Sequence, residues 1–131
     1  MQARGSFEVQ ATQHPPFDTE PGATLGRMTF HKSFEGDLEA TSVVEMMYAT
    51  SAIEGSGVYV ALERVRGKLA GKAGTFVLHH TGIRDRGAQS LSVLVVPDSA
   101  TGELAGLRGT LAIDIVEGRH FYTFDYRFGP S

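Results

Sequence analysis

The sequence predicts an all-β domain: an eight-stranded, mostly antiparallel closed barrel with little helix. Three observations carry that expectation. Short stretches alternate apolar and polar residues with the two-residue period of a strand. The chain's 16 glycines fall largely between those stretches, where they supply tight turns. Eight such stretches recur at even spacing, the pattern of a barrel or sandwich. Closure removes the free sheet edges that invite aggregation, and eight strands enclose room for side chains or one small ligand. With 131 residues the chain is expected to form one domain, residues 1–131, whose core needs no disulfide.

The first strand is expected at 6–12, where Phe7, Val9 and Ala11 alternate with Glu8, Gln10 and Thr12. Pro15, Pro16 and Pro21 make 14–22 a long loop. The second strand, 25–34, puts Met28, Phe30 and Phe34 on one face and Thr29, His31 and Ser33 on the other. Glu35-Gly36-Asp37 reads as a hairpin turn. The third strand is expected at 38–49. Val43-Val44 and Met46-Met47 blur its pattern, which suggests burial on both faces or a bulge, with a helix over 42–51 as the competing reading. Three more strands follow at 58–66, 74–82 and 89–96. Pro97-Asp98-Ser99-Ala100-Thr101-Gly102 is the strongest turn signal in the chain. The last two strands are 109–116, with Leu111, Ile113 and Ile115 on one side, and 120–128, with Tyr122, Phe124, Tyr126 and Phe128 together.

Composition narrows the function. There is no cysteine, so thiolate chemistry and disulfides are excluded. Twelve basic and 15 acidic side chains are mixed along the chain, for a net charge of −3. A nucleic-acid partner is therefore not expected, because phosphate binding needs a concentrated positive surface. No apolar run approaches a membrane span, and Met1 to Gly5 lacks the apolar core of a signal peptide. The expectation is a cytoplasmic protein with no membrane partner.

Three stretches together resemble a known family. They are Gly57-Val58-Tyr59-Val60-Ala61-Leu62-Glu63-Arg64 with the following residues 67–80, the run 95–109 containing Thr101-Gly102-Glu103-Leu104-Ala105-Gly106-Leu107, and His120-Phe121-Tyr122-Thr123-Phe124-Asp125-Tyr126. The sequence resembles a small bacterial domain-of-unknown-function family whose members form a barrel like that of allene oxide cyclase. The family pattern has glycine where this chain has Asp98 and Ala100. The resemblance implies the barrel. It points only by fold analogy to cyclase or isomerase chemistry, since no catalytic residue of allene oxide cyclase matches a position here.

Several residues are candidates for chemistry. Glu63 shares a strand face with Tyr59 and Ala61, so a lumen on that side would bury a carboxylate among apolar groups and suit it to acid–base work. The alternative is an ion pair with Arg64, Arg66 or a neighbouring strand's arginine at the rim. His79 and His80 are adjacent and must face opposite sides of a strand. If Phe76 and Leu78 pack inward, His80 is the inward candidate base; otherwise it is His79. Tyr59, Tyr122, Tyr126 and Phe76 are candidate ligand-lining residues, with barrel packing as the alternative. Neither a metal nor a cofactor is expected. His31, His120 and one of the paired histidines would have to converge with a carboxylate such as Glu45 or Asp114, and no His-x-His or His-x-x-x-His spacing supports that.

The sequence thus suggests a pocket protein for a small, largely apolar organic molecule, acting on it as an isomerase or cyclase. The alternative is a non-enzymatic structural or oligomerisation module with a side-chain-filled barrel. The doubled valines and methionines of the third strand motivate a homo-oligomer.

Overall fold

A computed structural model describes residues 1–129. The alternating stretches form eight strands: β1 (Gln2–Gln13), β2 (Ala23–Gly36), β3 (Leu38–Ser51), β4 (Gly57–Leu69), β5 (Lys72–Asp85), β6 (Ala88–Val95), β7 (Leu107–Val116) and β8 (Arg119–Phe128). Each pairs antiparallel with the next, and β8 returns to β1, so the sheet closes into a barrel. The only helix among the described residues is a 3₁₀ turn at Gly102–Leu104. Most strands run past their expected ends because cross-strand hydrogen bonds continue after the apolar alternation fades.

Residues 42–51 are strand, not helix. β3 pairs without interruption with β4, from Leu38 opposite Leu69 to Thr50 opposite Gly57. There is accordingly no bulge. Nor is β3 buried on both faces: Val43 and Met47 point outward and remain 43% and 53% exposed. Asp98, in the loop after β6, is one of the few non-glycine residues with positive φ. It adopts φ +63°, a left-handed conformation that glycine enters freely and aspartate tolerates.

Alternating residues of each strand face the lumen, but they fill only half of it. Phe7, Phe34, Leu38, Val65, Leu69, Phe76, Leu78, Leu111, Tyr122, Phe124 and Tyr126 pack into one core. That core lies toward the end where β4 turns into β5 and where the chain between β6 and β7 crosses. Leu104, fully buried in the 3₁₀ turn, belongs to the same core. The Tyr122 hydroxyl accepts from the Leu38 amide at 2.9 Å and donates to the Glu35 carbonyl at 2.8 Å, pinning the β2–β3 turn. At the opposite end, reached by the 14–22 loop and the β3–β4 and β5–β6 turns, the lumen is open. The barrel is therefore a cup.

Candidate functional site

The floor of the cup is polar. Lys32, Ser42, Glu63 and His80 come from four consecutive strands, β2 to β5, each at an inward position. Strand register brings them together: Lys32 lies opposite Ser42, Glu63 opposite Val44 and His80 opposite Ala61. The four side chains thus meet diagonally, as inward residues of neighbouring strands do.

Glu63 is at the centre, with no exposed surface. Its Oε1 accepts from His80 Nε2 at 2.7 Å and from Lys32 Nζ at 3.2 Å. Its Oε2 accepts from the Ser42 hydroxyl at 2.6 Å. Burial pushes the carboxyl's pKa up. The His80 and Ser42 hydrogen bonds and the charge of Lys32 outweigh that effect, and Glu63 is held below the usual carboxylate range. It is an ionised carboxylate that accepts three hydrogen bonds, two at Oε1 and one at Oε2.

Two chambers lie above this floor. The inner one, about 190 Å³, is walled by Phe7, Val9, Phe30, Val44, Met46 and Ile113, with Lys32, His80, His120 and Tyr59 as its polar groups. The outer one, about 770 Å³, opens at the mouth between Pro16, Met28, Tyr48, Arg84, Gln89 and Leu91. Met46 and Tyr59 border both, so the chambers adjoin. Glu63 does not line either; it stands behind His80 and Lys32. Among the described residues no side-chain nitrogen or oxygen is buried without a partner. Among these residues His80 Nδ1 makes no hydrogen bond and so is not sealed off, on a side chain that borders the inner chamber, while Nε2 is held by Glu63. Lys32 sits 4.8 Å from the Phe7 ring centroid, and among the described residues Glu63 is its only ionic partner. Two of its three N–H donors remain for the chamber.

Two tyrosines lie along the wall: Tyr59 where the chambers adjoin and Tyr48 in the outer one. Tyr48 lies opposite Gly26 and Tyr59 opposite Gly82. Each ring covers its glycine so closely that an added Cβ would run into it. Burial, and then the negative charge of Glu63, raises the pKa of the Tyr59 hydroxyl, which stays neutral at ordinary pH.

A family model described as "Protein of unknown function (DUF3224)" matches residues 3–126. The chain belongs to the DUF3224 family. A protein of unknown function from the same family in Shewanella oneidensis has a crystal structure that is 46% identical in sequence. The match covers 99% of this chain and 98% of that one, with a TM-score of 0.93. No curated protein matches.

In this DUF3224 barrel the residues singled out from the sequence separate. Glu63, His80 and Tyr59 come together. His79 faces outward and is exposed, because Phe76 and Leu78 pack inward and fix the face of β5. Tyr122, Tyr126 and Phe76 belong to the packed half of the barrel and line neither chamber. Glu63 pairs with Lys32 and His80 rather than with an arginine at the rim. Among the described residues no three potential metal ligands converge. No helix is long and apolar enough to cross a membrane.

Sequence reasoning missed Lys32 and Ser42. The signal for Lys32 was present: it has the same strand parity as Phe30 and Phe34, a charge on an apolar face. Ser42 likewise shares parity with Leu38 and Val44. Neither stands out without knowing that Glu63 lies across from them.

Proposed function

We propose that the protein binds a small, largely apolar organic molecule in the inner chamber and rearranges it by proton transfer, as an isomerase or cyclase. The observation that carries this reading is the combination of an unfilled apolar chamber with a buried ionic floor. The chamber keeps walls of aliphatic and aromatic groups and a few convergent polar ones, the usual make-up of a ligand site. A chamber of roughly 150 Å³ with apolar walls is enough for a benzene-sized molecule. The present one, about 190 Å³ before the outer chamber is added, suits one or two rings. The buried Glu63–His80 pair supplies the acid–base element such chemistry needs.

The test is a thermal-shift screen of small apolar ketones, acids and epoxides against wild type and Ala61→Phe. Ala61 is buried and borders the inner chamber, so phenylalanine there should fill it. A ligand of the native state raises Tm. Hits with wild type that vanish in Ala61→Phe support the reading; no hit with wild type contradicts it.

A second reading has its own observation. Val43 and Met47 on β3, Val58, Val60 and Leu62 on β4, and Ile83 on β5 point outward from adjoining strands, each more than two-fifths exposed. Such a patch suits a second copy of the chain. Light scattering that finds a dimer in wild type and a monomer in Leu62→Glu supports it; a monomeric wild type contradicts it.

A further inference from the structure

Resting on the binding reading above, we infer that the substrate is an enolisable ketone or aldehyde, with His80 Nδ1 as the base that takes its α-proton and Lys32 as the donor to its oxygen. Glu63 is a positioning residue that never touches the substrate.

Geometry leads to this assignment. His80 Nε2 and Lys32 Nζ bond the same Glu63 oxygen, so one carboxylate sets both groups side by side at the chamber floor. Glu63 fixes the imidazole ring and its tautomer, because Nε2 must carry the proton it donates; in the neutral ring Nδ1 is then the acceptor, on a side chain that borders the chamber. Beside it, the ammonium offers free N–H donors where an oxygen could sit. A lone acceptor nitrogen next to a cationic donor, under an apolar roof, matches a carbonyl compound: the C–H lies toward the base and the oxygen toward the ammonium. A carboxylic acid suits the floor less well. Its anion would approach the buried Glu63 charge, with only Lys32 to offset both.

The reaction needs no further reagent. The α-proton moves to His80 Nδ1. The C–H electron pair forms the Cα–C double bond as the carbonyl π pair moves to oxygen, and Lys32 donates a hydrogen bond to the resulting enolate. The imidazolium returns the proton to the same carbon, or to the γ-carbon of a β,γ-unsaturated ketone, which shifts the double bond. Positioned acid–base groups of this kind accelerate proton transfer by about 10²–10⁴-fold.

The probe is 2-tetralone in D₂O, with α-hydrogen exchange followed by NMR and binding by thermal shift. Wild type is expected to raise the exchange rate at least about 100-fold over buffer. His80→Gln and the chamber-filling Ala61→Phe should return it to the buffer rate. Lys32→Met should lower kcat. Glu63→Gln should lower kcat at least tenfold while KM stays within about twofold, in protein whose Tm lies well above the assay temperature, so that an unfolded fraction is not the cause. A Tm rise with exchange at the buffer rate overturns the enolisation proposal and leaves the binding reading standing. Exchange in Ala61→Phe equal to wild type also overturns it, since the catalysis would then come from the surface. Absence of any Tm rise or exchange defeats both. The wild-type arm decides even where a variant fails to fold.

Discussion

Glu63 shows why a buried charge can be kept. It has no exposed surface, yet its oxygens are met by Lys32, His80 and Ser42. Removing one partner of such a pair typically costs about 3–5 kcal/mol, because the other charge is left unsolvated. Glu63→Leu should therefore destabilise strongly by urea unfolding, and Glu63→Gln less, since its one amide oxygen can still accept on one side of the floor. The charge also has a pH signature. A carboxyl held below its ordinary value of 4.5 contributes stability that is fully present above that value and is lost as pH falls through the lower, folded one. Urea midpoints measured from pH 6 down to pH 3 should fall more steeply for wild type than for Glu63→Gln. Parallel slopes would mean that Glu63 carries no stabilising charge. The residue scale is also where the sequence was hardest to read. Glu63 could be singled out because its strand face was apolar, but its partners lie 17 to 31 residues away in the chain. Nothing local in β2 or β3 announces that Lys32 and Ser42 will meet it.

At the scale of the element, cross-strand pairs decide which inward positions pack and which stay open. Tyr59 over Gly82 and Tyr48 over Gly26 place large rings against bare backbone, so the rings lie along the wall instead of crossing the lumen. Gly82→Ala should push the Tyr59 ring off β5 and cost about 1–3 kcal/mol of stability, the usual range for overpacking. Adding Tyr59→Ala should recover part of that loss by removing the clash, as a double-mutant cycle of urea midpoints can show. Additive losses would mean that ring and glycine do not communicate. The strands themselves were legible, because alternation and glycine turns are local properties. Their lengths were not, since hydrogen bonding across the sheet extends β4 through Leu69 and β5 through Asp85. The doubled valines and methionines of β3 also misled: exposed Val43 and Met47 look like core residues in a sequence, and only the register shows that they face outward.

For the whole molecule, the barrel is closed but not uniformly. Long antiparallel ladders join β2 to β3, β3 to β4 and β4 to β5. By contrast β6 and β7 share one paired position, Leu94 with Thr110. The polar floor and the chamber walls from β2 to β5 thus rest on the best-paired part of the sheet, which holds acid–base groups in place. Native-state hydrogen exchange should find the slowest amides in β3 and β4 and faster ones along the facing edges of β6 and β7. Equal protection around the barrel would contradict a weak seam. Closure and strand number could be anticipated from the sequence. That side chains fill only one end could not, because it depends on which inward positions fall at which height once the strands are staggered.

The central claim is that the unfilled half of the barrel holds a small apolar molecule. The chain's four methionines provide the direct measurement. Met46 borders both chambers and Met28 the outer one, whereas Met47 points outward and Met1 lies near the packed end beside Tyr126. With the methyl groups labelled with ¹³C, NMR titration with 2-tetralone should shift Met46 most, Met28 next, and Met47 and Met1 hardly at all. Shifts centred on Met47 with Met46 unmoved would place the molecule on the outer face of the sheet and contradict the account.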